Sequence, residues 1–191
     1  MKRLLVAGAM MLGSISTAEA EDVRVYAGIT GGVMGIEYQE PTLSINQNVG
    51  AGLLKLGMDA NDYFGVEFRI GAAGNGSSAV GATTVELGVD LLTSYLVKLQ
   101  YPVAQDFRIY GLAGATTAKL TRKQTVTGTS VVLINDSARK IALSYGAGAE
   151  FFVTDKVSIS GEWIQYWKDA EVGTNITTTL WSAGGAINYY F

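Results

Sequence analysis

Apolar and polar residues alternate with a period of two along most of the chain, which is the pattern of β-strands that have one apolar face. The clearest case is residues 85–101, where every odd position except Thr93 is apolar or aromatic and the even positions include Glu86, Asp90 and Lys98. The same period predicts eight strands, over residues 23–38, 49–59, 64–71, 85–101, 108–120, 141–151, 157–167 and 181–191.

The connections between these segments alternate strictly between short and long. The short ones are residues 60–62, 102–106 and 154–156, and the long ones are residues 39–47, 72–83, 121–139 and 168–177. Both prolines fall in connections, where a missing amide does no harm to a sheet. This order predicts an all-β, eight-stranded, antiparallel up-and-down barrel with its short turns and both termini at one end.

Alternation alone does not show which face points outward. A soluble barrel puts its apolar face inside, whereas an outer-membrane barrel turns that face to lipid. Here the polar face is rich in small residues such as Gly65, Gly88 and Ser144, as a narrow interior requires. Trp181 and Phe191 share one face ten residues apart, a height of roughly 25 Å at ~3.3 Å per residue and ~40° tilt, which matches the apolar band of such barrels. The pattern therefore favours a transmembrane β-barrel.

The first twenty residues have the pattern of an export signal. Lys2 and Arg3 precede an apolar stretch over residues 4–12, and Ala18 and Ala20 are the small residues that a signal peptidase reads. We expect a signal peptide over residues 1–20, an outer-membrane barrel domain over residues 21–191, and an integral location in the outer membrane.

Three segments resemble small outer-membrane barrels of the OmpA/OmpX type and the opacity-protein superfamily, which is often called porin-like. They are residues 57–69, which look like the second hairpin, residues 110–115, and the last strand, which ends in Tyr189, Tyr190 and Phe191. The resemblance implies that the short turns lie in the periplasm and that four loops lie outside the cell. It also implies that the barrel assembly machinery reads the terminal strand ending at Phe191.

Composition removes several classes of function. The chain has 191 residues, no cysteine and no histidine, so disulfides, thiolate metal sites and imidazole catalysis are excluded. The formal net charge of −3 does not indicate the basic surface that nucleic-acid binding requires. We predict no catalytic residue, no cofactor and no metal site.

Two sets of residues are candidate sites. Charged side chains on the polar face are expected to meet in the lumen as a network of ion pairs, because buried charges must be paired; these are Lys55, Glu67, Arg69, Lys98, Glu150 and Glu162. Aromatic residues near strand ends are expected at the membrane–water interface; these are Phe64, Tyr101, Phe151, Trp163, Trp167, Trp181, Tyr189 and Phe191. Lys119, Arg122 and Lys123 are candidate contacts for lipopolysaccharide phosphates.

These features predict a non-enzymatic barrel whose surface loops serve adhesion, host contact or envelope integrity, with outer-membrane lipid and lipopolysaccharide around it. Two alternatives stay open on the sequence. One is a porin-like path for small solutes or ions through the lumen. The other is a secreted soluble barrel that binds a hydrophobic ligand inside.

Overall fold

A computed structural model describes residues 23–191 except residues 42 and 130, so the predicted signal peptide lies outside the described residues. The chain forms eight strands. They are β1 (Arg24–Glu40), β2 (Leu43–Asp59), β3 (Phe64–Val80), β4 (Thr83–Ala104), β5 (Phe107–Val126), β6 (Val132–Thr154), β7 (Val157–Gly173) and β8 (Ile176–Tyr190).

The strands close into one barrel in sequence order. Each pairs antiparallel with the next, and β8 returns to β1, with Tyr26 opposite Tyr190 at one end of that seam and Gln39 opposite Thr177 at the other. The predicted eight-stranded up-and-down barrel is therefore confirmed. Among the described residues, no helix is long and apolar enough to cross a bilayer.

The long connections predicted from the sequence are wrong, because most of their residues continue the strands. Residues 72–80 belong to β3 and residues 132–139 to β6, and tight turns remain at residues 81–82 and 174–175. Gly81 and Asn175 take positive φ values of 58° there, a backbone conformation that glycine and asparagine tolerate best. Each of these segments pairs with at least one neighbouring strand, so the segments that look like loops in sequence extend the sheets above the closed barrel.

The barrel is closed only over its lower part, on the side of the short turns. β2 pairs with β3 from Asp59 opposite Gly65 up to Ala51 opposite Ala73, and β6 pairs with β7 only up to Tyr145 opposite Gln165. Above these points the pairing recorded for the described residues joins β7, β8, β1 and β2 into one sheet and β3 to β6 into another. Two sheets therefore stand on one closed barrel.

The outer face of the closed part is apolar and the inner face is charged. Val66 and Leu143 point outward with 39% and 73% of their surface exposed, whereas Glu67 and Glu150 are buried inside. A soluble barrel with a hydrophobic ligand would show the opposite arrangement. The apolar belt is the surface that lipid covers.

In three strands, bulges reverse this arrangement above the membrane. The register of β4 against β5 shifts between Val89 and Leu91, so that Val89 and Leu87 point inward although they share odd positions with outward residues below. Leu87 is one of the odd-numbered apolar positions of residues 85–101, which the preferred transmembrane orientation places on the lipid side, and for Leu87 that expectation is wrong. The registers of β3 and β7 shift in the same way, near Ala73 and near Gln165.

Candidate functional site

Eight charged side chains meet inside the closed part of the barrel, and we call them the ionic layer. They comprise four cations, Lys55, Arg69, Lys98 and Arg108, and four anions, Asp59, Glu67, Glu150 and Glu162, all of them buried. The inward positions of β2 to β7 supply them, because alternate residues of a strand point to the same face. Equal numbers of both signs leave the layer without net charge.

One half of the ionic layer is organised by Arg69 of β3, which has 0% of its surface exposed. Its guanidinium pairs with Glu67 on the same strand and crosses the lumen to bind Glu162 of β7 through two donors, one of them 2.9 Å from Oε2. The Lys55 ammonium lies 3.7 Å from the same carboxylate. This bidentate geometry is among the strongest arrangements available to a guanidinium and a carboxylate.

The other half is organised by Glu150 of β6, which has 1% of its surface exposed. Arg108 donates from Nε at 2.8 Å and Lys98 donates at 3.3 Å to Oε2 of this carboxylate. Ser158, Asn188 and Tyr190 donate to its other oxygen. Five donors thus hold one carboxylate, which satisfies a charge that would be costly to bury alone.

Tyrosines complete the ionic layer and link its two halves. Tyr26 donates to Glu67 at 2.6 Å and Tyr110 donates to Glu162 at 3.0 Å. The Lys98 ammonium lies 4.9 Å and 5.2 Å from the centres of these two rings, within the range of a cation–π interaction. Gly57 makes room for Tyr26, because a Cβ there would lie 2.1 Å from the ring.

The structure places all six sequence-predicted lumen residues in the ionic layer, but the sequence reasoning missed Asp59 and Arg108. Both lie at strand ends, Asp59 as the last residue of the predicted strand 49–59 and Arg108 as the first of the predicted strand 108–120, and the facing of both strands is ambiguous in sequence. The sequence reasoning also missed Tyr190, because it treated Tyr189, Tyr190 and Phe191 together as the terminal signal. Successive residues of a strand point to opposite faces, so an outward Phe191 and Tyr189 place Tyr190 inside the barrel.

A second layer, above the ionic layer, is apolar. Met34, Leu87, Leu180 and Trp167 are fully buried there. The Trp167 indole N–H donates to the carbonyl oxygen of Thr116 at 3.0 Å, which joins β7 to β5 across the interior. The prediction of Trp167 as an interface aromatic is wrong, because the bulge after Gln165 turns its side chain inward.

The other predicted interface aromatics lie on the outer face. Phe191, Tyr101, Phe151, Tyr189, Trp163 and Phe64 are exposed there, and Trp181 is half-buried, with its indole ring over Gly35. Exposed aromatic rings at the two edges of an apolar belt are typical of membrane proteins, because such rings favour the boundary between lipid and water.

Charged residues also occupy the outer mouth, above the level of the lipid. Arg122 points into the mouth and pairs with Glu40, which also accepts a hydrogen bond from Tyr38. Burial and the hydrogen bond to Glu40 raise the pKa of the Tyr38 phenol to about 12. Lys119 faces outward and pairs with Asp90 at 2.8 Å. Of the three cations proposed to meet lipopolysaccharide, Arg122 is thus committed to an internal ion pair.

The charged side chains of the interior are bound to one another. In the part of the chain that the structure describes, no group of three acidic, histidine or cysteine side chains is arranged to hold a metal ion. Each carboxylate of the ionic layer is bound by at least one cation, and Glu67, Glu150 and Glu162 also accept hydrogen bonds from hydroxyl groups. Such an arrangement locks strands to one another across the lumen.

Comparisons with known proteins agree with this architecture. The chain is similar to the attachment invasion locus protein Ail of Yersinia pestis, with 19% identity, a TM-score of 0.54, and coverage of 87% of this chain and 98% of Ail. It is similar to Neisserial surface protein A at 13% identity and a TM-score of 0.56, over 90% and 100% of the two chains. The N-terminal barrel of Pseudomonas aeruginosa OprF matches at 13% identity and a TM-score of 0.53, over 89% and 100%. A search of curated protein sequences finds no match.

A family profile covers nearly the whole chain. The profile of the outer membrane protein beta-barrel domain matches residues 5–189. Together with the closed barrel, its apolar outer belt and its charged interior, this match shows that the chain belongs to the outer membrane protein beta-barrel domain family.

Proposed function

We propose that this protein is a non-enzymatic, non-conducting outer-membrane barrel whose extracellular sheets form a contact surface. The observation that carries the proposal is the filled interior. Arg69 and Glu162 bridge β3 and β7 across the lumen, and the Trp167 side chain bridges β7 and β5 above them. Two successive layers without exposed side chains leave little room for solute, in keeping with the narrow interior of an eight-stranded barrel.

The contact role is supported by the strands that continue beyond the lipid. Their hairpins form a rigid support, and binding residues concentrate on segments that a rigid scaffold holds. Among the similar structures, Ail has been solved in complex with the heparin analogue sucrose octasulfate, at 18% identity and a TM-score of 0.53 to this chain. That observation concerns Ail, and here it makes surface attachment the first role to test.

Single-channel recording of the refolded barrel tests the proposal. We expect a silent bilayer for the natural chain, and stepwise current only when both layers lose their bridging side chains, as in Arg69→Ala/Glu162→Ala/Trp167→Ala. Steady current through the natural chain would overturn the proposal and support passage of small solutes. Expression on a non-adherent bacterium, followed by a cell-binding assay, tests the contact role, and unchanged binding relative to cells without the barrel would contradict it.

We further propose the export and assembly route that the sequence indicates. Residues 1–20 are removed as a signal peptide, which N-terminal sequencing of the mature protein at Glu21 tests. Phe191 is read by the barrel assembly machinery, and Phe191→Ala should slow insertion in a reconstituted assembly reaction.

Lys119 and Lys123 both face outward above the lipid belt, which supports contact with lipopolysaccharide phosphates. Weaker binding of lipid A than of its dephosphorylated form would contradict that contact.

A further inference from the structure

The outer face of β8, β1 and β2 changes character where these strands leave the apolar belt. Within the belt it carries aliphatic side chains such as Ile187, Ile29 and Leu54, which lie opposite one another on the three strands. Above the belt, the register aligns nine outward positions in three rows, which we call the outer polar patch. The rows are Trp181 with Gly35 and Asn48, Thr179 with Glu37 and Asn46, and Thr177 with Gln39 and Ser44.

The Trp181 indole lies flat on this patch. A Cβ on Gly35 would overlap Cε2 and Nε1 of the indole and would lie 2.6 Å from its Cζ2. Because a Cβ projects out of the sheet, three ring atoms around its position mean that the ring lies across β1, over Gly35. Gly35 is buried as a result, whereas Gly31, four residues below it on the same face, is exposed. One face of the indole therefore packs on the sheet, and the other face points outward.

Amide and carboxylate groups lie beside the ring. Asn48 is opposite Gly35 on β2, Glu37 follows Gly35 on the same face of β1, and Asn46 is opposite Glu37. The two asparagines are exposed and Glu37 is half-buried. Within the described part of the chain, these three side chains form no hydrogen bond and no ion pair with another residue. Their donors and acceptors are therefore available to a ligand that covers the ring.

An aromatic ring with planar polar groups at its edge is suited to a sugar. A pyranose has a face of C–H groups, which carry partial positive charge, and a rim of hydroxyl groups. The C–H face can pack on the negative face of an indole. An asparagine offers both a donor and an acceptor, and a carboxylate can accept from two neighbouring hydroxyl groups. Asn46 and Asn48 are two residues apart on β2, about 7 Å, a distance that one hexose with its hydroxyl groups can span.

The charge of the patch indicates an uncharged sugar. Its nine positions include one carboxylate, that of Glu37, and no lysine or arginine. Lys168 and Asp169 of β7, beside the patch, have opposite charges. A phosphate or sulfate group would meet a net negative charge here, whereas on the outward face of β5 it would meet Lys119 and Lys123. The two outer faces of the extracellular region therefore suit different ligands.

We propose that the outer polar patch holds a binding site for an uncharged pyranose sugar, centred on Trp181 and bounded by Asn48 and Glu37. The inference deepens the proposed function, on which it rests, by assigning part of the contact surface to a saccharide. The sugar stacks on the outward face of the indole, and its hydroxyl groups form hydrogen bonds with the amides and the carboxylate. Contact with lipid headgroups would account for an aromatic ring at this level, but it requires neither the glycine beneath the ring nor the amides beside it.

Fluorine NMR of the barrel, labelled with fluorotryptophan in phosphatidylcholine nanodiscs, tests the site. The chain has three tryptophans, so Trp163 on the lipid-facing surface and the buried Trp167 are internal controls. Dephosphorylated core oligosaccharide of lipopolysaccharide is titrated in one arm, and lactose, as a neutral glycan from outside the cell, in the other. We expect a saturable shift of the Trp181 signal alone in at least one arm, and the responding arm identifies the source of the sugar. No shift of Trp181 in either arm, or an equal shift of all three signals, would overturn the proposal.

Substitutions separate a sugar site from an aromatic anchor in lipid, with saturation transfer to the sugar as the measurement and unboiled gel mobility as the check of folding. Trp181→Ala should abolish binding, and Asn48→Ala, a change at an exposed side chain, should weaken it at least fivefold. Gly35→Ala should weaken it at least fivefold because the added Cβ lifts the ring, whereas Gly31→Ala, with open space around its Cβ, should stay within twofold. Unchanged binding in Trp181→Ala, or in Asn48→Ala, would contradict the site.

Core oligosaccharide that keeps its phosphate groups tests the choice of an uncharged ligand. We expect it to bind at Trp181 at least threefold more weakly than the dephosphorylated form, and tighter binding there would overturn that choice. The outcome is separable from the proposed function. A silent bilayer with no response of Trp181 to sugar would refute this inference alone, whereas a conducting barrel whose Trp181 signal responds would refute the proposed function and support the sugar site.

Discussion

Removal of the Arg69 charge tests whether the ionic layer holds the barrel together. Arg69→Met keeps the length of the side chain and removes its donors to Glu67 and Glu162. The nearest remaining cation in this half is Lys55, 3.7 Å from Glu162. Two buried carboxylates then face a single ammonium, and removing one partner from such a buried pair costs about 3–5 kcal/mol. Against a total free energy of unfolding of about 5–15 kcal/mol, this loss is large.

The double variant Arg69→Met/Glu162→Gln separates charge balance from packing. It leaves three cations and three anions in the ionic layer, so the uncompensated carboxylate of the single variant is gone. We expect the double variant to be more stable than Arg69→Met alone, with a coupling energy of about 1–3 kcal/mol. Arg139→Met is the control, because this exposed side chain has no ion pair in the described structure and its loss should change stability by at most about 0.5 kcal/mol.

Urea titration of the folded barrel in phosphatidylcholine vesicles measures these differences. Tryptophan fluorescence and the gel mobility of unboiled samples should give the same midpoints if unfolding is two-state. A loss below about 1 kcal/mol in Arg69→Met would refute the reasoning, because it would mean that the interior is wet enough to solvate the carboxylates. Additive losses in the double variant would show that the two charges do not interact.

Three further predictions test side-chain placement. Trp167→Ala should cost about 3–5 kcal/mol because it empties part of the apolar layer, and Trp167 fluorescence should resist quenching by brominated lipid while Trp163 is quenched. Gly57→Ala should destabilise the barrel by about 1–3 kcal/mol in urea titrations because its Cβ would overlap a buried tyrosine ring, whereas Gly31→Ala, with open space around its Cβ, should not. Deletion of Asp90, the bulge residue of β4, should turn the apolar side chains above it outward and prevent the shift in gel mobility that marks a folded barrel, whereas deletion of Gly81 in a hairpin turn should not.

The lower part of the fold follows from the sequence because lipid imposes one rule on every strand. Val66, Leu143 and Ile187 face outward and Glu67 and Glu150 face inward, as the period of two predicts. The same rule identified six of the eight charged residues of the ionic layer. It could not identify which charges pair across the lumen, because that depends on barrel closure and register rather than on spacing along one strand.

The upper part was harder to predict because glycine, serine and threonine there look like loop sequence. Residues 72–80 have few large side chains, yet they pair with β4 as the end of β3. The inward orientation of the Leu87 and Trp167 side chains likewise could not be predicted from the sequence. Each keeps the parity of the outward residues below it, and a bulge is not visible in the alternation of apolar and polar residues.

The bulges have a physical cause in the change of solvent along each strand. Within lipid, an apolar face must point outward, and every backbone group needs a partner, so the sheet must be closed. Above lipid, water surrounds the strands and apolar side chains are stabilised inside, while open sheet edges can be hydrated. A strand can move its apolar side chains from the outer to the inner face in two ways. In β1 two adjacent apolar residues do so, since Val33 faces outward and Met34 faces inward, and in β4 one inserted residue, Asp90, does so. Because the extra residue reverses every side chain beyond it, one bulge converts a lipid-facing stripe into the packed core of a water-exposed pair of sheets. The opening of β2 from β3 and of β6 from β7 begins near the same level, which is where closure of the sheet stops being required.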